Sequence, residues 1–94
     1  MKAAEALTQV QNIIQQRGEA YGNVRENMTE TAKRMSLTLG HTVTAESVCL
    51  MMIDLKLARL RETPTHLDSI FDVMGYAALL AEIVTSTDRD DLLA

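Results

Sequence analysis

Between Thr44 and Thr85 the chain carries two long apolar runs, VCLMMIDLKLARL and HLDSIFDVMGYAALLAEIV, on either side of a short break that holds its only proline, Pro64. Apolar residues recur on several sides of each run at helical spacing, the pattern of helices surrounded by protein. The proline ends the first helix, and the two helices fold back on each other at this break. Charge nevertheless sits inside each run: Lys56 and Arg59 in the first, Asp68 and Asp72 in the second. A charge taken out of water is costly unless it is paired, so these four side chains either neutralise one another or serve a ligand.

The remaining sequence predicts two more helices. Over residues 2–16, Ala3, Ala6, Leu7, Val10, Ile13 and Ile14 share one face and glutamines occupy much of the rest. The segment RGEAYGN, residues 17–23, holds two glycines four apart and reads as a linker. Asn23 then caps a second helix over Val24–Leu39, with Glu26 completing a capping-box pattern and Gly40 as the stop. Val24, Met28, Ala32, Met35 and Leu39 form its buried stripe, and Asn27 lies off it. Thr44 caps the third helix, and Thr65 is in place to cap the fourth with Asp68 at its third position. The expected fold is therefore all-α: a four-helix bundle-like domain over residues 1–84 with a central antiparallel hairpin, then a polar tail over 85–94 whose Leu92 and Leu93 can dock on a neighbouring subunit. Two helices apolar on several sides need more cover than two short partners supply, so a homo-oligomer, a dimer or higher, is expected.

Composition excludes several functions. The formal charge of −4 and the absence of a basic run disfavour nucleic acid. The single cysteine, Cys49, excludes an intrachain disulfide and reads as a small buried hydrophobe. No run approaches the ~20 apolar residues of a membrane span, and no signal-peptide core precedes the first helix, so a cytoplasmic protein is expected. His41 and His66 fall in separate links and make no zinc pattern, and no glycine-rich phosphate loop is present. His41 reads as a surface residue.

In an antiparallel hairpin centred on Pro64, Lys56 stands level with Asp72 and Arg59 with Ser69. Arg59 then reaches Asp68 or Asp72, and Lys56 reaches Asp72. One reading is a set of structural salt bridges with no further role. The other is incomplete pairing, with capacity left for a ligand. A lysine and an arginine one turn apart suit phosphate oxygens, and two carboxylates one turn apart suit a divalent cation. Arg17 and Tyr21 either line a pocket mouth or close the end of the bundle. Gly75, inside a helix, costs about 1 kcal/mol against alanine, so close approach of a backbone or a ligand is expected there, beside Tyr76.

Three blocks, Arg17-Tyr21-Gly22, Lys56-Arg59 and Asp68-Asp72-Gly75-Tyr76, together with Asn27, resemble a family of small uncharacterised proteins from phages and prophages, over residues 15–84. More distantly, DSIFDVMGYAALLAEI is similar to the last metal-binding helix of MazG-like all-α nucleoside triphosphate pyrophosphohydrolases. That resemblance implies magnesium held by acidic residues of two helices in dimers or tetramers. Asp72 matches the final aspartate of the pattern, but Ser69 stands where a glutamate is expected, and the third helix has no E-x-x-E.

These readings converge on a non-enzymatic, phage-type helical oligomer that binds a small phosphate-bearing nucleotide without a cofactor, in a form able to sequester a host-defence signal. Lys56 and Arg59 are expected to hold phosphate, Arg17 and Tyr21 to contact base or sugar, and Asp68 and Asp72 to orient the cations or accept from ribose, with Asn27 and Tyr76 completing the site. The alternatives are a divergent magnesium-dependent pyrophosphohydrolase, with Asp68 and Asp72 on the metal, and a helical interaction protein with no small ligand.

Overall fold

The computed structural model describes residues 1–86, with Tyr21 described by its backbone alone; the expected docking of Leu92 and Leu93 lies outside the described residues. Four helices occupy this span: α1 (Ala3–Tyr21), α2 (Val24–Leu39), α3 (Ala45–Glu62) and α4 (Leu67–Val84). No strand interrupts them among the described residues, as expected for an all-α chain.

Local chemistry sets most of the helix ends. The Asn23 side chain accepts the Glu26 N–H at 3.1 Å, and Thr44 Oγ1 accepts the Ser47 N–H at 3.2 Å, so both expected N-caps are present. Gly40 closes α2 at φ +77°, the left-handed conformation glycine reaches without a Cβ penalty. Two ends differ from expectation. α1 continues through Arg17 and Gly18 to Tyr21, because a single glycine inside a helix weakens it without ending it. The stop is Gly22, at φ +80°, whose N–H bonds the Gly18 carbonyl at 2.9 Å.

At the other corner the N-cap of α4 is His66, not Thr65. A turn takes Thr63–His66, with the His66 N–H donating to the Thr63 carbonyl at 3.0 Å, which places Thr65 before the cap. His66 Nδ1 lies 2.7 Å from Oγ of Ser69, a hydroxyl only 1% exposed. His66→Ala is therefore expected to destabilise the fold by about 1–2 kcal/mol by stranding that hydroxyl, and His66→Ala with Ser69→Ala to recover much of the loss. Urea denaturation of the single and double variants checks this.

α4 is the central element: it packs against each of the other three helices, whereas α3 meets only α2 and α4. The core lies where α2, α3 and α4 converge, on Met28, Ala32, Val48, Cys49 and Ile83, with Met35, Met52, Leu79 and Leu80 around it. Val48 and Cys49 are fully buried. Burial pushes the Cys49 thiol up, and the Glu46 carboxylate pushes it further, so the thiol stays protonated and inert at neutral pH. His41 is exposed, as expected. No helix among the described residues is long and apolar enough to cross a membrane.

As expected from two helices apolar on several sides, α1 and α2 do not cover α3 and α4 completely. Leu50, Met51, Leu55 and Leu57 of α3 and Leu67 of α4 are all exposed. The reason is arithmetic of surfaces: α1 packs on α4 and α2 but not on α3, so α3 has one large partner and one smaller one.

Candidate ligand-binding site

The charged residues meet at Asp72. Its Oδ2 lies 3.1 Å from Lys56 Nζ, the pairing expected from the hairpin register. Its Oδ1 lies 3.2 Å from Nη2 of Arg17, which comes from α1. The Lys56 and Asp72 side chains are 14% and 17% exposed, whereas that of Arg17 is 52% exposed. One carboxylate thus answers two cations, and the group as a whole carries one excess positive charge.

Two members of the expected quartet stand apart from this group. Arg59 and Asp68 are exposed, and neither forms an ion pair with Lys56 or Asp72 among the described residues. Asp68 instead occupies the first turn of α4 and Arg59 the last turn of α3, where their charges suit the helix dipoles. The expected contacts of Arg59 with Asp68 or Asp72 are absent among the described residues; at Asp72 the second oxygen is taken by Arg17.

Beside Asp72 a cavity of about 300 Å³ opens between α1, α2 and α4. Arg17, Asn27, Asp72 and Tyr76 line it, and so does Gly75. Lys56, Arg59 and Asp68 do not. Its walls are otherwise mostly apolar, with Ile14 from α1, Met28 from α2 and Phe71 and Leu79 from α4. Glu82 lines it as well, ten residues beyond Asp72 and so about 15 Å along the helix. The cavity therefore has a cationic end at Arg17, an anionic end at Glu82 and an apolar middle. Its volume is at the lower end of small-molecule sites, which run from about 300 to 1,000 Å³. Phe71, Ile14 and Glu82 were not singled out in the sequence. Ile14 belongs to an ordinary amphipathic stripe, and nothing local distinguishes Glu82 from a solvated acid.

Gly75 explains part of this space. A Cβ built there meets no heavy atom within 4 Å, so no backbone approaches it and the expectation of close backbone packing is not met. What the missing side chain leaves is room on the cavity side of α4. Gly75→Ala is accordingly expected to raise stability by about 0.5–1 kcal/mol through helix propensity alone. A rise in the urea midpoint at unchanged m-value is the readout.

Residues 5–84 match the family described as a domain of unknown function, DUF6378. The chain belongs to that family. Its similar proteins include the Gene 55 protein of Mycobacterium phage L5, 37% identical over 85 residues, a span that covers 88% of this chain and 54% of the relative. The Gene 55 protein of Mycobacterium phage D29 is 35% identical over 78 residues, covering 82% of this chain and 52% of the relative. The chain thus spans about half the length of the curated relatives it matches. No solved structure matches it. The phage family expected from the sequence is borne out, and the match covers all the charged and cavity-lining residues discussed above.

Proposed function

We propose that this DUF6378 domain binds, without chemical change, a small nucleotide-like anion in the cavity between α1, α2 and α4. The observation that carries the reading is Asp72, held between two cations at the rim of a cavity that a mid-helix glycine enlarges. Arg17 has five N–H donors and gives one to Asp72, so its half-exposed guanidinium keeps donors for phosphate oxygens. The excess positive charge at that end favours an anion. Phe71, Met28 and Leu79 offer an apolar slot for a base, Tyr76 and Asn27 offer hydrogen bonds, and Glu82 accepts from an amino group or a ribose hydroxyl.

The roles differ from those first expected for the cations. Arg17 is the phosphate contact, and Lys56 acts through Asp72, holding its carboxylate rather than touching the ligand. The hydrolase alternative needs Asp68 and Asp72 to share magnesium. Both Asp72 oxygens are engaged by cations and Asp68 stands outside the cavity, a donor set that suits binding better than metal-assisted hydrolysis. In the same reading the protein is a homo-oligomer of helical-bundle type acting in the host-cell cytoplasm, where binding removes a nucleotide signal from solution.

A thermal-shift panel of nucleoside mono-, di- and triphosphates, with and without magnesium, tests the reading. Stabilisation by a nucleotide, independent of magnesium and weakened about 10- to 30-fold in affinity by Arg17→Met, is the expected result. Magnesium-dependent release of pyrophosphate favours the hydrolase instead, and no shift with any nucleotide refutes both.

A further inference from the structure

The α3–α4 pair is covered by α2 on one broad face, and the opposite face bears an apolar surface with an internal symmetry. Along α4, Leu67, Ile70, Met74, Ala77, Ala81 and Val84 alternate three- and four-residue steps, the spacing of a coiled-coil seam, over the entire helix. Leu67 and Val84 are 46% and 37% exposed, Ala77 and Ala81 are exposed, and Ile70 and Met74 are half-buried. No charged residue falls on this line. Read about a centre between Gly75 and Tyr76, the seam is its own complement: Leu67 meets Val84, Ile70 meets Ala81, and Met74 meets Ala77. The two inner pairs set a large side chain against alanine.

The same face of α3 repeats the symmetry. Leu50 and Leu57, 52% and 49% exposed, pair about a centre between Ile53 and Asp54, and that centre also brings Arg61 level with Glu46. The Lys56–Asp72 ion pair sets the approximate register of α3 on α4. By that register the α3 centre stands level with the Met74–Gly75 bond, one residue or about 1.5 Å from the α4 centre. One two-fold axis therefore serves both helices.

We infer that this face is an isologous interface with a second copy of the chain, in which the two α3–α4 pairs stack and α4 runs antiparallel to its counterpart. A dimer axis demands a patch that matches itself, and a patch recognising an unrelated partner has no reason to be palindromic on two helices at once. The size suffices. Two helices of 18 residues are about 27 Å long and, side by side at about 10 Å each, span about 20 Å, a footprint of roughly 500 Å² per copy. That places the total near the ~1,000 Å² a specific interface requires. Arg61 of each copy opposite Glu46 of the other adds charge complementarity at the rim. This inference deepens the oligomer part of the reading above and is independent of its ligand part.

Two variants test it. Ala77→Arg changes an exposed residue of one copy, so the helical signal should persist while sedimentation equilibrium shows association weakened by at least 100-fold, leaving monomer. Ile70→Cys with Ala81→Cys, too far apart on one helix to bridge, should form interchain disulfides under mild oxidation, whereas Leu67→Cys with Ala81→Cys should not. A monomeric wild type overturns both the interface and the oligomer reading. A dimer indifferent to Ala77→Arg, or one that crosslinks equally in both registers, overturns this interface and leaves an oligomer joined elsewhere.

Discussion

Asp72→Ala should destabilise the fold by about 2–3 kcal/mol, the largest single loss expected from any charged residue among those described. Among the described residues the carboxylate is the one counter-charge of Lys56, whose side chain is 14% exposed, and removing it leaves an ammonium largely out of water. Breaking such a pair in a fully buried setting costs about 3–5 kcal/mol, and partial exposure lowers that here. Arg17 contributes little of this total, since an ion pair with a half-exposed guanidinium is worth about 0–1 kcal/mol. The partner substitution separates the mechanism from simple loss of packing. Lys56→Met with Asp72→Leu should recover most of the stability, because two apolar side chains of similar size replace the pair without a stranded charge. Urea unfolding of the two single variants and the double completes the cycle. A double variant as unstable as Asp72→Ala contradicts the pairing account.

Filling the cavity should separate binding from stability. Gly75→Leu sends an apolar side chain into open space on the cavity side of α4, where a Cβ meets nothing within 4 Å. The free protein should become more stable, through helix propensity and through burial of new apolar surface at about 25 cal/mol per Å². Nucleotide affinity should fall at least 100-fold, because the side chain occupies the volume the base would take. A stabilised protein that no longer binds is the expected pair of results, measured by urea unfolding and isothermal titration. Few substitutions move two properties so far in opposite directions.

The parts of the molecule written in local chemistry were legible in the sequence. Asn23, Gly40 and Thr44 mark helix ends by hydrogen bonds within four residues, and each does so in the structure. The Lys56–Asp72 pair was legible too, because a hairpin with a short turn fixes which residues stand level. The misreadings have a common cause. Gly18 and Gly22 look alike as letters, yet only Gly22 adopts a positive φ, while Gly18 stays inside α1. The pairing of Arg17 with Asp72 spans 55 residues of sequence and follows from the packing of α1 on α4, which no local pattern encodes. The apolar residues on several sides of α3 were legible as more than two short helices cover, and Leu50 and Leu57 are indeed exposed. Which of them stay uncovered follows from the packing of α2 and α4 and not from the pattern itself. Glu82 shares the cavity with Asp72 only because both lie on the side of α4 that meets α1 and α2.

The central claim is that the cavity beside Asp72 holds a nucleotide-like anion, and the most direct measurement is native mass spectrometry of protein freshly isolated from cells, wild type beside Gly75→Leu. The account predicts a bound small molecule of phosphate-bearing mass on the wild type, absent from the variant, with both at the same subunit count. Wild-type protein that carries nothing, and gains no mass when incubated with the nucleotide panel, would contradict it.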